Sequence, residues 1–394
     1  MIDVSTALHI LQSNTSVPAP AMLPLQEATG FTLAADVKAP RNMPAFRQSA
    51  MDGYAFDYAA WDKISPLQIA SEVAAGATKV MSLLAGQAAR IFTGAPMPEG
   101  ADTVVMQEKT SVTDKQLHVL DTALQAGSNV RPIGSEIGAD ELALPAGTLL
   151  TPAATGLLAA LGFTNVAVYP PPRVSIVVTG NELQTPGLPL APGQVYESNS
   201  WSLRAALEPW RIKEVTVRHA PDDPQQIVAA LAAALEEADI LLVTGGVSVG
   251  DYDYVAQSLT ACGVETLFHR IRQKPGKPLF AGRKEDKIVF GLPGNPSSVL
   301  TCFYEYVRPV IAWRMQHPGH DSSIRKLPLT HDHEKPPGLT HFLKARSDGQ
   351  EVTLLTGQES YKLNTFALAN CLVALDADRG QWKAGEEVAV HFIS

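Results

Sequence analysis

The first apolar rhythm along the chain is helical: residues 3–13, with Asp3 or Ser5 near the start, predict a short helix. Strand-like pieces punctuated by proline and glycine follow, through Pro40 and Pro44. From about 46 to 139 the pattern becomes brief β runs at 67–70, 89–92, 103–106 and 117–120, bounded by Gly and Asp. The most apolar stretch, 149–169, is interrupted by Pro152, Gly156, Gly162 and Asn165. It predicts buried helix, turn and strand, since a membrane helix needs about 20 predominantly apolar residues.

From Pro171 to about 315 the rhythm changes. Buried strands are predicted at 174–178, 215–217, 240–243 and 287–290, and helices at 198–210, 253–262 and 297–313. One further helix starts at Pro224, capped by Asp222 or Asp223, and runs to Ala238. Strands alternating with helices predict a doubly wound, mostly parallel α/β domain, with ligands where strand C-termini meet loops. After Pro318 the pattern returns to β, near 340 and at 352–355, 372–375 and 388–390, which predicts a small C-terminal barrel or sandwich. The fold class is therefore multidomain α/β plus β. An N-terminal helix and elongated linker occupy 1–45 and 140–170, a β-rich domain 46–139, the α/β domain 171–318, and a C-terminal β domain 319–394.

Composition narrows the partners. A hydrophobic fraction of 45% with 18% charged residues belongs to a globular protein with real cores. The net charge of −9 provides no global basic field, so neither nucleic acid nor an acidic membrane surface is an expected partner. An anionic ligand would need a local cluster of cations or backbone N–H groups. Three cysteines, Cys262, Cys302 and Cys371, have the spacing of neither a zinc site nor a disulfide framework and suit a reducing cytoplasm. Residues 1–11 lack the basic start and apolar run of a signal peptide.

Four loops of the α/β domain carry candidate chemistry. Residues 244–254, Thr-Gly-Gly-Val-Ser-Val-Gly-Asp-Tyr-Asp-Tyr, follow a buried strand and open a helix. Glycines there let backbone approach an anion, and Asp253 is either a cation or hydroxyl ligand or an ordinary N-cap. Glu182, in Gly180-Asn181-Glu182, should emerge on the same edge. Paired carboxylates without a basic neighbour suit a hard Mg²⁺, although Glu182 alone reads equally as a solvated loop residue. Lys274-Pro275-Gly276-Lys277-Pro278 fixes two lysines on a stiff turn, as a phosphate or oxyanion site or as a solvated basic turn. Pro293-Gly294-Asn295-Pro296 leads into the long helix, whose start offers N–H groups to a tetrahedral anion or is simply a well-capped turn. Outside this domain stand the loops Met51-Asp52-Gly53-Tyr54-Ala55 and Thr93-Gly94-Ala95.

Together and in this order, over essentially the whole chain, these segments resemble the molybdopterin molybdenumtransferases, the MoeA and gephyrin E-domain family. The resemblance implies an enzyme that inserts molybdate into adenylylated molybdopterin with release of AMP, assisted by Mg²⁺. It also implies a homodimer whose cleft brings Asp52 of one subunit to the α/β domain of the other, with a molybdopterin adenylyltransferase as a possible partner. By the same resemblance Asp52, Glu136 and Glu182 are catalytic, and Glu182 and Asp253 hold the metal. Lys274 and Lys277 lie near the pterin phosphate or molybdate, Pro293 and Pro296 shape the adjacent turn, and Thr93, Gly246, Ser248, Asn295 and Ser360 contact substrate. Three positions depart from the family pattern. Ser135-Glu136 stands for Glu-Asp, Asn181 for Asp, and Leu339 for an arginine that Lys344 or Arg346 would replace. These departures keep a non-catalytic pterin-binding scaffold open as an alternative. A molybdopterin adenylyltransferase is the other, although that group is usually a single small domain.

Overall fold

The computed structural model describes residues 1–79, 81–246, 254–318 and 324–393. The chain forms two compact units: Met1–Ala34, Gly147–Thr155 and Asn165–Ser394 make one, and Ala35–Ala146 with Gly156–Thr164 the other.

The first unit is centred on six strands. In chain order its elements are β1 (Val174–Thr179), α1 (Asn199–Leu207), β2 (Val215–Ala220), α2 (Pro224–Glu237), β3 (Ile240–Thr244), α3 (Tyr254–Ala261), β4 (Glu265–His269), β5 (Phe280–Lys284), β6 (Lys287–Leu292), α4 (Pro296–Cys302) and α5 (Arg308–Arg314). The strand order is β2-β1-β3-β6-β5-β4. β2, β1, β3 and β6 pair in parallel, while β5 runs antiparallel to both neighbours. Every residue of β1 and β3 is buried, as continuous apolar runs covered on both faces require. On one face Val177, Leu241, Val243 and Val289 pack under Ile227, Leu231 and Leu235 of α2 and Val255 and Leu259 of α3. Fully burying each such side chain contributes about 1.5–3 kcal/mol. The cap of α2 is Asp223, whose carboxylate accepts from the Gln226 N–H at 2.9 Å, with Pro224 in the first turn.

Two strands escape the sequence pattern. β4 is an edge strand with only Phe268 buried, and β5 contains Gly282, where a Cβ would stand 2.5 Å from Val264 Cγ1. The helix predicted over 297–313 is not continuous. Phe303–Val307 between α4 and α5 forms a wider π turn. Pro309 accounts for the break, because it lacks the N–H that would reach the Glu305 carbonyl and its ring crowds that oxygen.

The same unit contains a helix at Val4–Asn14 and a C-terminal antiparallel sheet of Thr340–Ser347, Cys371–Leu375, Glu387–Phe392 and Ile324–Pro328. Gln273–Lys274, from the α/β domain, joins that sheet in parallel beside Thr340–Ser347. In the second unit the order of the main sheet is Thr103–Met106, Gly53–Phe56, Gln87–Ile91, Leu67–Val73, Gln116–Val119 and Thr110–Thr113. Ala55, Ala89, Ile91 and Val104 fill one of its cores and Phe56, Val105 and Leu117 another.

The C-terminal sheet is fastened to the π turn by a buried pair, His391 Nδ1 to Glu305 Oε2 at 2.7 Å. Burial alone would lower the His391 pKa, but the charge and hydrogen bond of Glu305 outweigh it and hold the imidazole above its ordinary range, with Arg308 opposing. A raised folded-state pKa gives stability that is complete below the unfolded value, near about 6.5, and is lost as pH rises through the folded value. The difference in Tm between the unaltered protein and His391→Gln, followed by calorimetry, should therefore be largest at acid pH and shrink towards alkaline pH.

Candidate active site

Sheet topology gathers the predicted loops at one edge. The chain leaves β1 towards β2 on one side and then returns to β3 on the other, so a crevice opens beyond the C-terminal ends of β1 and β3. The loops after β1, β3 and β6 all leave from that edge. Because β5 is antiparallel to β6, with Phe280 opposite Gly291, the lysine turn enters β5 from the same edge.

The loops touch through backbone. Gly245 and Gly246 have φ of 88° and 63°. A Cβ on Gly245 would lie 2.5 Å from the Thr179 carbonyl oxygen, and one on Gly246 2.6 Å from Val255 Cγ2. The Gly245 N–H donates to the Leu292 carbonyl at 3.3 Å, the Thr179 hydroxyl to the Thr244 carbonyl at 3.2 Å, and the Asn199 amide to the Gly294 carbonyl at 2.9 Å. Ser248 and Asp253 lie outside the described residues.

Lys274 and Lys277 are both exposed on a turn whose core is buried. The Ile271 N–H donates to the Lys277 carbonyl at 2.9 Å and the Leu279 N–H to the Gly276 carbonyl at 3.1 Å. His341 pairs with Lys274 in the parallel register. Burial, then Lys335, Lys274 and His333, push its imidazole down to about 4, so it is neutral near pH 7 and adds no charge to the lysines.

The turn after β6 corrects one expectation. The N–H groups at the start of α4 are not free for an anion: Ser297 N donates to the Ser360 carbonyl at 3.1 Å, and Ser298 and Val299 N to the Asn295 carbonyl at 2.9 and 3.0 Å. Asn295 does not cap α4 with its side chain but donates to Ser360 Oγ at 3.0 Å. Asn295, Pro296 and Ser360 are thus brought together, and Pro293 precedes them. Lys344 does not take the place of the arginine missing at Leu339. Its buried ammonium donates to Ser297 Oγ, the Glu359 carbonyl and the Lys362 carbonyl, at 3.4, 3.1 and 3.2 Å. Arg346, two residues on, is exposed.

Glu182 is exposed and has no cation paired with it among the described residues. Beside it, Asn181 and Asp222 hold each other. The Asn181 N–H donates to Asp222 Oδ2 at 3.2 Å, and the Asp222 N–H donates to Asn181 Oδ1 at 3.1 Å. Among the described residues no cluster of three His, Cys, Asp or Glu could hold a metal ion by itself.

In the second unit Asp52 Oδ1 accepts from the Thr93 N–H at 2.7 Å and the Thr93 hydroxyl at 2.8 Å. The Thr93 N–H first, then its hydroxyl, hold the Asp52 carboxyl below the ordinary range; desolvation opposes them, and Arg90 adds a lesser lowering. Gly53 is required behind it, since a Cβ there would fall 1.9 Å from the Val105 carbonyl oxygen. Glu136 lies on a separate loop, its side chain exposed and its N–H bonded to the Met43 carbonyl at 3.0 Å. Asn199, Asp222, Gln273 and Lys344 were not singled out as organisers of these loops. The Ser198-Asn199-Ser200 triplet carries a cap-like signal, Asp222 reads as a helix cap and Lys344 as a stand-in for an arginine, and Gln273 shows no pattern before the chain folds.

The chain is similar to known proteins over nearly its whole length. Residues 2–162 match the MoeA N-terminal region (domain I and II), residues 175–313 a probable molybdopterin binding domain, and residues 326–393 the MoeA C-terminal region (domain IV). The chain is 34% identical to a molybdopterin molybdenumtransferase of Haemophilus influenzae, covering 93% of this chain and 92% of that protein. Identity to the Bacillus subtilis protein of the same name is 32%, covering 94% and 89%. The crystal structure of a molybdopterin biosynthesis MoeA protein from Pyrococcus horikoshii OT3 superposes with a TM-score of 0.83 at 28% identity, covering 100% of both chains.

Thr93→Val deletes one of the two hydrogen bonds on Asp52. The Asp52 pKa, followed by carboxyl-carbon NMR, should rise towards the ordinary range yet remain below it, because the backbone N–H persists.

Proposed function

Because this chain belongs to the molybdopterin molybdenumtransferase (MoeA) family, we propose that it inserts molybdate into adenylylated molybdopterin and releases AMP. The observation that carries the reading is the single sheet edge where a glycine loop, a serine–asparagine contact and two exposed lysines assemble. In an acidic chain these lysines supply the local cations that a phosphate and a tetrahedral oxyanion demand. As the phosphoanhydride is cleaved, negative charge grows on phosphate oxygens, and fixed cations stabilise it more than they stabilise the bound substrate. Gly245 and Gly246 let their loop pack tightly on Thr179 and Val255, which holds its backbone at the same sheet edge. Asp52, kept ionised by Thr93, accepts or orients a proton of the attacking oxygen nucleophile.

Mg²⁺ is part of this proposal. An exposed, unpaired Glu182 without a full protein cage fits an ion that takes one or two carboxylates and completes its shell from substrate phosphates and water. Glu182 and Asp253 would hold it, and it would neutralise charge on the phosphate oxygens. The proposal further takes the enzyme to act in the cytoplasm as a homodimer, with a molybdopterin adenylyltransferase supplying its substrate. No helix among the described residues is long and apolar enough to cross a membrane.

Purified protein given adenylylated molybdopterin, molybdate and Mg²⁺ should release AMP, measured by chromatography. Chelation should stop the release and added Mg²⁺ should restore it. Lys277→Ala should lower kcat/KM by about a hundredfold, the usual loss when one stabiliser of transition-state charge is removed. Pterin binding without AMP release under any metal condition would instead support a scaffold.

A further inference from the structure

The lysine turn rests on a buried polar assembly that none of its own residues accounts for. Gly276, at its centre, has φ of 84°, and a Cβ there would lie 2.5 Å from Cys302 Sγ and 2.7 Å from Gln273 Nε2. Gln273, Cys302 and Tyr306 are each completely buried. The Gln273 amide is held at both ends: its Oε1 accepts from the Tyr306 hydroxyl, and its Nε2 donates to Cys302 Sγ at 3.7 Å. The Cys302 thiol in turn points at the Gly276 carbonyl, 3.9 Å away. Burial pushes both the thiol and the phenol upward, so neither titrates in the working range and both act as neutral donors. The Tyr306 hydroxyl therefore reaches the Gly276 carbonyl, between Lys274 and Lys277, through two side chains, Gln273 and then Cys302.

The position of Tyr306 also has a cause. It lies in the π turn Phe303–Val307 that Pro309 enforces, and the neighbouring Glu305 of that turn is tied to His391. A widened turn shifts the register of the side chains that follow it relative to a regular helix. Here it sets a phenol under the turn that carries the two site lysines.

We infer that Tyr306, acting through Gln273, is a positioning residue that fixes the backbone of the Lys274–Lys277 turn so that both ammonium groups meet an oxyanion without prior ordering. The inference rests on the proposed reaction for its consequence, although not for its geometry. Two like charges on one short turn repel each other, and holding them together before the ligand arrives removes an ordering cost from binding. Tyr306→Phe deletes only the hydroxyl and leaves Gln273 Oε1 without its donor.

The test compares the unaltered protein with Tyr306→Phe, Gln273→Leu and the double variant. Two readouts are taken: steady-state AMP release over a range of molybdate concentrations, and amide hydrogen exchange resolved along the chain. KM for molybdate should rise roughly tenfold while kcat changes no more than about threefold, as expected when ground-state and transition-state binding weaken together. Exchange should accelerate over residues 273–279 with Tm little changed. The double variant should be no worse than the poorer single variant, because both act through one bond. Unchanged exchange over 273–279, an additive double variant, or a loss confined to kcat would overturn the inference. Should Tyr306→Phe fail to fold, Gln273→Leu decides the same points. An unaltered protein that releases no AMP would sink the proposed reaction instead, and the exchange measurement would still decide whether Tyr306 pins the turn.

Discussion

Backbone meets backbone at the edge of the parallel sheet, and this close approach organises the rest. The loop leaving β3 lies against the Thr179 carbonyl so closely that one methyl group at position 245 would stand 2.5 Å from its oxygen. The same loop donates its Gly245 N–H to the Leu292 carbonyl at the end of β6 and borders the Gly294 turn, which Asn199 holds by its amide. No side chain could occupy that seam without separating the strands' ends. Glycine at 245 is therefore a requirement of the packing between the two strand ends, and charged side chains are confined to the rim.

The rim is built by a division of labour among cations. Lys274 and Lys277 stay exposed on a stiff turn, and His341 beside them is held neutral. Lys344, although a lysine near the same loops, is buried and donates to two carbonyls and a hydroxyl. Burial lowers its pKa below the ordinary lysine range, with Lys362 adding to the effect and Glu359 opposing it. Its role is to seat the segment around Ser360 against α4. The C-terminal sheet thus contributes position more than charge, and its parallel pairing with Gln273–Lys274 attaches it to the lysine turn itself.

Much of this was readable before folding, for identifiable reasons. Val174–Thr179 and Ile240–Thr244 are continuous apolar runs between turn signals, so their burial followed from composition. Asp223-Pro224 announced α2. The glycine loop and the lysine turn were visible because glycine and proline have few local roles and two lysines in four residues have few partners. The antiparallel β5 was obscured by Gly282, and the π turn by a helical rhythm that continues on both sides of it. The N–H groups at the start of α4 read as free, because the Ser360 carbonyl that takes one of them comes from far along the chain.

Local sequence by itself determined most of the elements, the order of the loops and the kinds of side chain available to bind an anion, since periodicity and turn chemistry act over a few residues. Only the tertiary structure decided which polar groups are occupied. Asn295 turned to Ser360, Asn181 to Asp222, Lys344 to three oxygens and Gln273 to Tyr306. Each of these partners is distant in sequence, and a buried polar group takes whichever complementary atom the packing brings within reach.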